Sequence, residues 1–164
     1  MTKAIVDRPP GKALRVALRL PIFLYRFGLG GLLDNRFMLI IHTGRRSGLP
    51  RRTVVEVVRY DRQSRVYYAV SGWGERADWY KNVRANPNVL IGVGGCLFKA
   101  RAESVPLQES IRIIDAYAAQ HPVAFRELSG LLLGERLLPG HDALQRLAEK
   151  MPMVAFWVGQ ETHP

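Results

Sequence analysis

Between Phe37 and Ala102 the chain breaks into apolar runs of strand length, each closed by a turn signal. This punctuation limits the fold more than any other feature. Phe37–Ile41 is one such run, and Thr53–Tyr60 is a second, rich in β-branched residues and interrupted by Glu56. Val66–Val70 follows after the polar turn Asp-Arg-Gln-Ser. Val89–Val93 and Leu97–Ala102 flank Gly94-Gly95, a pair that accepts the positive φ of a tight hairpin. In the second arm Leu97, Lys99 and Arg101 alternate with Phe98, Ala100 and Ala102, so one face is wet. Met153–Val158 returns a last apolar strand to the sheet.

Helical patterns fill the intervals. Asp78–Ala85 precedes the breaker Asn86-Pro87, with Asp78 placed to cap its start. Pro106–Gln120 carries Ile111, Ile114, Tyr117 and Ala118 on one side. From His121 to Lys150 the pattern is helical but broken at Gly130, Gly134 and Pro139-Gly140. Residues 12–27 form an amphipathic helix with Pro21 as a kink, Lys12, Arg15, Arg19 and Arg26 sharing a face. Strands in meander order with helices inserted and appended give an α+β, barrel-like sheet instead of alternating βαβ units. One domain is expected: a helical leader over 1–35, then a barrel over 36–164 with a helical insertion before its last strand.

Charge narrows the partners. Twenty-four Lys and Arg stand against 14 Asp and Glu, a net charge of +10. An anion is expected somewhere, whether nucleic acid, membrane or phosphate. The basic residues divide between the 12–27 helix and one inter-strand segment, and the strands lack an RNA-binding aromatic signature, so nucleic acid is not expected. The single Cys96 has no partner for a disulfide. His42, His121, His141 and His163 lack ligand-like spacing, so no metal is expected. The charged, proline-bearing start of the chain is no signal peptide, and no apolar run reaches membrane-span length. These features suit a cytoplasmic protein, with the 12–27 helix able to lie on the inner face of an anionic membrane.

Two segments carry chemistry. In His42–Thr53, "HTGRRSGLPRRT", Arg45, Arg46, Arg51 and Arg52 crowd around Ser47 and Gly48. Guanidinium groups so close repel one another unless an anion sits among them, and exposed backbone N–H groups can help hold it. The segment lacks the Gly-Lys-Ser/Thr of a P-loop. In Ser71–Pro87, "SGWGERADWYKNVRANP", a strand ends in a flexible turn that admits a flat ligand, and a helix then presents Trp79 and Tyr80. Core packing is the alternative use of those aromatics.

Together "TGRRSGLPR" (43–51) and "VSGWGERADWYKNVRANP" (70–87) resemble the deazaflavin-dependent nitroreductase family, split-β-barrel reductases that use coenzyme F-420. That family is related in fold to FMN-binding pyridoxamine-phosphate-oxidase-like proteins. The resemblance covers residues 37–103 well and the final strand plausibly. It implies that Arg45, Arg46, Ser47, Gly48 and Arg51 hold the coenzyme's phosphate and acidic glutamyl tail. Arg52, Thr53, Val54, Val55 and Glu56 would run along the deazaflavin ring. Ala69, Val70, Ser71 and Gly72, with Asp78, Trp79, Tyr80, Lys81 and Asn82, would close the other side.

Hydride transfer is the coenzyme's chemistry, so the protein positions donor and acceptor and excludes water. Ser71 and Tyr80 are candidate hydroxyl donors to the acceptor, and Glu56 is a candidate catalytic or acceptor-selecting group. The chain departs from the family where Gly72 replaces a lysine, Glu56 stands near a usual tyrosine, and Asp78 occupies an apolar position. The implied activity is hydride transfer from F-420 to a quinone, nitro compound or other small unsaturated acceptor, in a monomer or a homodimer. FMN is the alternative cofactor.

Overall fold

The computed structural model describes residues 36–159, apart from 134, 137 and 139. The leader over 1–35, including the segment 12–27 expected to be a basic helix, lies outside the described residues. Six strands build the barrel: β1 (Phe37–Thr43), β2 (Pro50–Asp61), β3 (Val66–Val70), β4 (Asn88–Val93), β5 (Cys96–Ser104) and β6 (Met153–Val158). Four helices accompany them: α1 (Asp78–Ala85), α2 (Leu107–Gln120), α3 (Pro122–Leu133) and α4 (His141–Lys150). A short 3-10 turn, Gly74–Arg76, precedes α1.

The strands close in the order β1-β2-β3-β6-β5-β4, all antiparallel. This is two three-stranded meanders joined edge to edge, not one continuous meander. The chain leaves β3, crosses one end of the barrel through α1, and re-enters beside β1 rather than beside β3. That crossover places the Ser71–Pro87 segment over the end where β1 stops and β2 begins.

Alternation along the strands sorts side chains into two cores. Met38, Ile40, Val55, Tyr67, Ala69, Ile91, Ala100, Ala102, Val154 and Phe156 fill the barrel, with Trp79, Tyr80 and Val83 of α1 plugging its end. Outside it, Val66, Tyr68, Met153 and Ala155 meet Ile111, Ile113, Ile114 and Ala118 of α2 and Leu144 and Leu147 of α4. The helical layer thus covers the β2-β3-β6 side. Gly130 lies inside α3 instead of breaking it, so the expected break fails at that residue.

Candidate functional site

β2 starts earlier than its sequence pattern suggests, at Pro50, so Arg51 and Arg52 sit on a strand. Only Arg45 and Arg46 belong to the turn. That turn is closed by Gly44 N donating to Leu49 O at 2.8 Å and Gly48 N donating to Gly44 O at 2.8 Å. Leu49 N adds a bond to Ser47 Oγ at 3.3 Å.

Arg45 ties the turn to α1. Its backbone N and its Nη1 both donate to Asn82 Oδ1, at 3.1 and 2.9 Å, and its Nη2 pairs with Asp78 Oδ1 at 3.0 Å. Asn82 is buried and turns its amide nitrogen to His42 Nδ1 at 3.2 Å. Because Oδ1 receives two donors, Nδ2 must be the donating end, and His42 then carries its proton on Nε2. Burial, and secondarily the Arg51 charge, holds the His42 imidazole below its ordinary pKa, against a smaller opposing pull from Asp78. Asp78 is the first helical residue, after Ala77 at the cap position, and caps nothing. Its carboxylate serves Arg45, which corrects the capping role expected of it.

Arg46, Arg51 and Arg52 are exposed and make no ion pair with any carboxylate among the described residues. Two lie one residue apart on β2 and the third is across the turn. Their mutual repulsion is not relieved by the described protein, which suits an external anion.

β2 also carries a half-paired stretch. β1 pairs with it from Pro50 to Glu56, whereas β3 pairs with it only from Val57 onward. Before Val57 no described backbone group pairs with the second edge of β2. The barrel is split there. The half-buried Thr53 and Val54 and the buried Val55 line that edge, with unclaimed backbone donors and acceptors available to a flat heterocycle. β3 leaves β2 at Ala69, Val70 turns to Met153 of β6, and Ser71 N donates to Pro152 O at 2.9 Å.

The candidate catalytic groups fall as follows. Ser71 is fully buried, and its hydroxyl donates to Gly74 O at 2.7 Å, closing the turn. Tyr80 is 4% exposed, edge-on to Trp79, with Arg84 over its ring. Both therefore build the wall from behind. Glu56 lies on the outer face of β2, receiving the Tyr117 hydroxyl at 3.0 Å and pairing with Arg36 at 3.2 Å. Burial and the Glu56 carboxylate push the Tyr117 phenol up to about 12, so it stays a donor throughout the neutral range. Lys81 is exposed on α1.

Sequence reasoning missed His42 and Trp73. Trp73 Nε1 is the one buried side-chain polar atom without a hydrogen-bond partner among the described residues. A lone His at a strand end and a Trp between two glycines give no signal until the crossover brings them beside α1 and the cleft.

The family profile of the F-420H(2)-dependent quinone reductases matches residues 26–126, well over half of the chain. The chain belongs to that family. It is accordingly an oxidoreductase that depends on F-420 and acts on a small molecule. No curated protein shows significant similarity to it. Among solved structures, an F-420-H2 dependent reductase is 21% identical over 75% of this chain and 95% of its own, with a TM-score of 0.50. A domain-swapped dimer is 20% identical over 89% of this chain and 99% of its own, with a TM-score of 0.53. A protein of unknown function from Agrobacterium tumefaciens str. C58 is 15% identical over 93% of this chain and 60% of its own, with a TM-score of 0.53. At these identities the structures speak for the fold, an α+β split barrel. Among the described residues no helix is long and apolar enough to cross a membrane.

Proposed function

We propose that the enzyme binds F-420 with its ring along the free edge of β2 and passes a hydride to a quinone-like or other small unsaturated acceptor. The observation that carries this reading is the split in the barrel, where Thr53–Val55 keep one backbone edge unpaired, near three arginines without a carboxylate partner among the described residues. The residues present fit the coenzyme. Arg46 and Arg51, with the Ser47 hydroxyl, would hold its phosphate. Ala69–Gly72 and α1 would close the opposite side of the ring. When bound, the coenzyme supplies the hydride.

Everything else is positioning. Arg45, Asp78 and Asn82 fix the turn against α1, so that Arg46 and Arg51 meet the anion in a set geometry. Ser71 holds the turn that walls the cleft, and Tyr80 packs behind it. Glu56, held by Tyr117, is the acidic group that an acceptor approaching the outer face of β2 would meet, and it would set acceptor preference. Residues 12–27 would bring a cytoplasmic enzyme to lipid-soluble quinones at the membrane's inner face, which flotation with anionic vesicles tests.

Titration of the purified protein with F-420 and with FMN, followed by fluorescence, tests the cofactor assignment. Tight binding of F-420 and weak binding of FMN is expected. Arg51→Ala should weaken F-420 binding by about 1.5–3 kcal/mol if its guanidinium makes a charge-assisted contact. Preference for FMN, or an unchanged dissociation constant in the variant, would overturn it.

A further inference from the structure

The last pair joining β2 to β3 is Val57 with Ala69. Continued past that point, the antiparallel register would set residues 70–73 opposite residues 53–56. The chain turns away instead. Val70 pairs with Met153 of β6, Ser71 N donates to Pro152 O at 2.9 Å, and Ser71 Oγ donates to Gly74 O at 2.7 Å. Gly74 N returns to Ser71 O at 2.9 Å, so the turn whose departure opens the split is held from both sides. Between its two glycines it carries Trp73.

Trp73 is placed the wrong way round for a residue that only packs. It is half-buried against the core inside the barrel, yet its one polar atom lies on the covered part. Nε1 is closed to solvent and has no hydrogen-bond partner among the described residues. A buried indole N–H ordinarily finds a partner. One left without it carries a desolvation cost that nothing among the described residues offsets.

We infer that Trp73 is a ring-recognition residue, whose Nε1–H is unsatisfied in the free protein and donates to an oxygen on the ring of the bound coenzyme. The inference rests on the proposed binding mode, which lays that ring along the unpaired edge of β2. A ring filling the place left by residues 70–73 adjoins the turn that carries the indole. The chemistry is complementary, because an indole N–H can only donate. The deazaflavin ring offers it acceptors, the pyrimidine carbonyls and the oxygen of the ring hydroxyl. A donor that holds no water loses none when the acceptor arrives, so this bond contributes more than one made by a solvated group.

The test removes the N–H and keeps the ring. In the full chain the Trp73 indole is replaced by benzothiophene, which has the same bicyclic shape with sulfur in place of the N–H, and Trp73→Phe is made separately. F-420 affinity, read by fluorescence titration, should fall about tenfold in both, equivalent to 1.4 kcal/mol. The unfolding free energy of the coenzyme-free benzothiophene protein should not fall, because the group it lacks was bonded to nothing. Deazaflavin ribosides with and without the ring hydroxyl then separate the acceptor oxygens. A loss confined to the hydroxylated riboside assigns the bond to that oxygen, and a loss with both assigns it to a carbonyl. Unchanged F-420 affinity in the benzothiophene protein overturns the inference and leaves the cleft assignment standing, even where Trp73→Phe loosens binding through the void it leaves. A fall in that protein's unfolding free energy also overturns it, by showing the N–H already bonded to a buried water. Failure of the unaltered protein to bind any deazaflavin would overturn both.

Discussion

At the scale of single residues, Asn82 does more than its neighbours on α1. One buried amide receives the Arg45 backbone and side chain and steers the His42 tautomer. Asn82→Ala leaves these groups without partners in a place water reaches poorly. It should cost about 2–3 kcal/mol in denaturant unfolding and weaken coenzyme binding by loosening the turn. A variant of unchanged stability would show that the network is bridged by water. His42 gives a pH signature. Its folded pKa lies below that of the unfolded chain, so the unfolded state takes up its proton first as pH falls. The stability this contributes is complete above about pH 6.5 and is lost as pH drops below that value toward the lower folded pKa. Unfolding free energies between pH 7.5 and 5.5 should fall in the native protein and fall less in His42→Gln, whose side chain can still accept from Asn82. Parallel curves for the two would remove His42 as the source.

At the scale of elements, two glycines with similar backbone angles predict different outcomes. Gly48 has φ +67° and Gly74 has φ +62°. A Cβ at Gly48 would meet open space, whereas at Gly74 it would lie 2.7 Å from the carbonyl oxygen of Lys150. Gly48→Ala should therefore cost only the left-handed backbone penalty, about 1–2 kcal/mol. Gly74→Ala must also part the β3–α1 connection from the end of α4, and should lower the melting temperature several degrees further. Equal shifts would mean that this contact yields without cost. On the outer face, Tyr117→Phe removes the donor that fixes Glu56 and should cost about 1 kcal/mol while shifting acceptor preference. A shift in stability alone would confine Glu56 to anchoring α2.

These elements also show what the sequence could carry. The bounds of β3, α1 and β6 agree with their apolar patterns because turn residues or prolines close each run. β2 was read three residues short at its start, since two arginines and a proline look like loop while paired registers with β1 decide otherwise. Gly130 misled because a glycine's intrinsic helix penalty, about 1 kcal/mol, is easily outweighed by the contacts of the helix around it. The two motif segments, far apart in sequence, meet where Arg45 binds Asp78 and Asn82. Which arginine pairs internally was not legible, because Arg45 and Arg46 are distinguished only by the position of α1 across the barrel end.

At the scale of the whole molecule, the excess of ten positive charges acts before any contact forms. In the proposed binding mode the half-paired edge of β2 and the arginines without a carboxylate among the described residues set where the anionic coenzyme settles, and the long-range field sets how fast it arrives. The two contributions separate by range. Charges farther apart than a Debye length are screened, and that length shrinks from about 30 Å at 0.01 M salt to about 8 Å at 0.15 M. Stopped-flow association of F-420 should therefore slow several-fold over that interval, while dissociation, governed by close contacts at the turn, changes much less. Arg51→Ala should do the reverse, speeding dissociation strongly and slowing association little, because one charge in an excess of ten barely alters the distant field. If salt acted mainly on dissociation, the attraction would be confined to the turn and the rest of the basic surface would serve another partner.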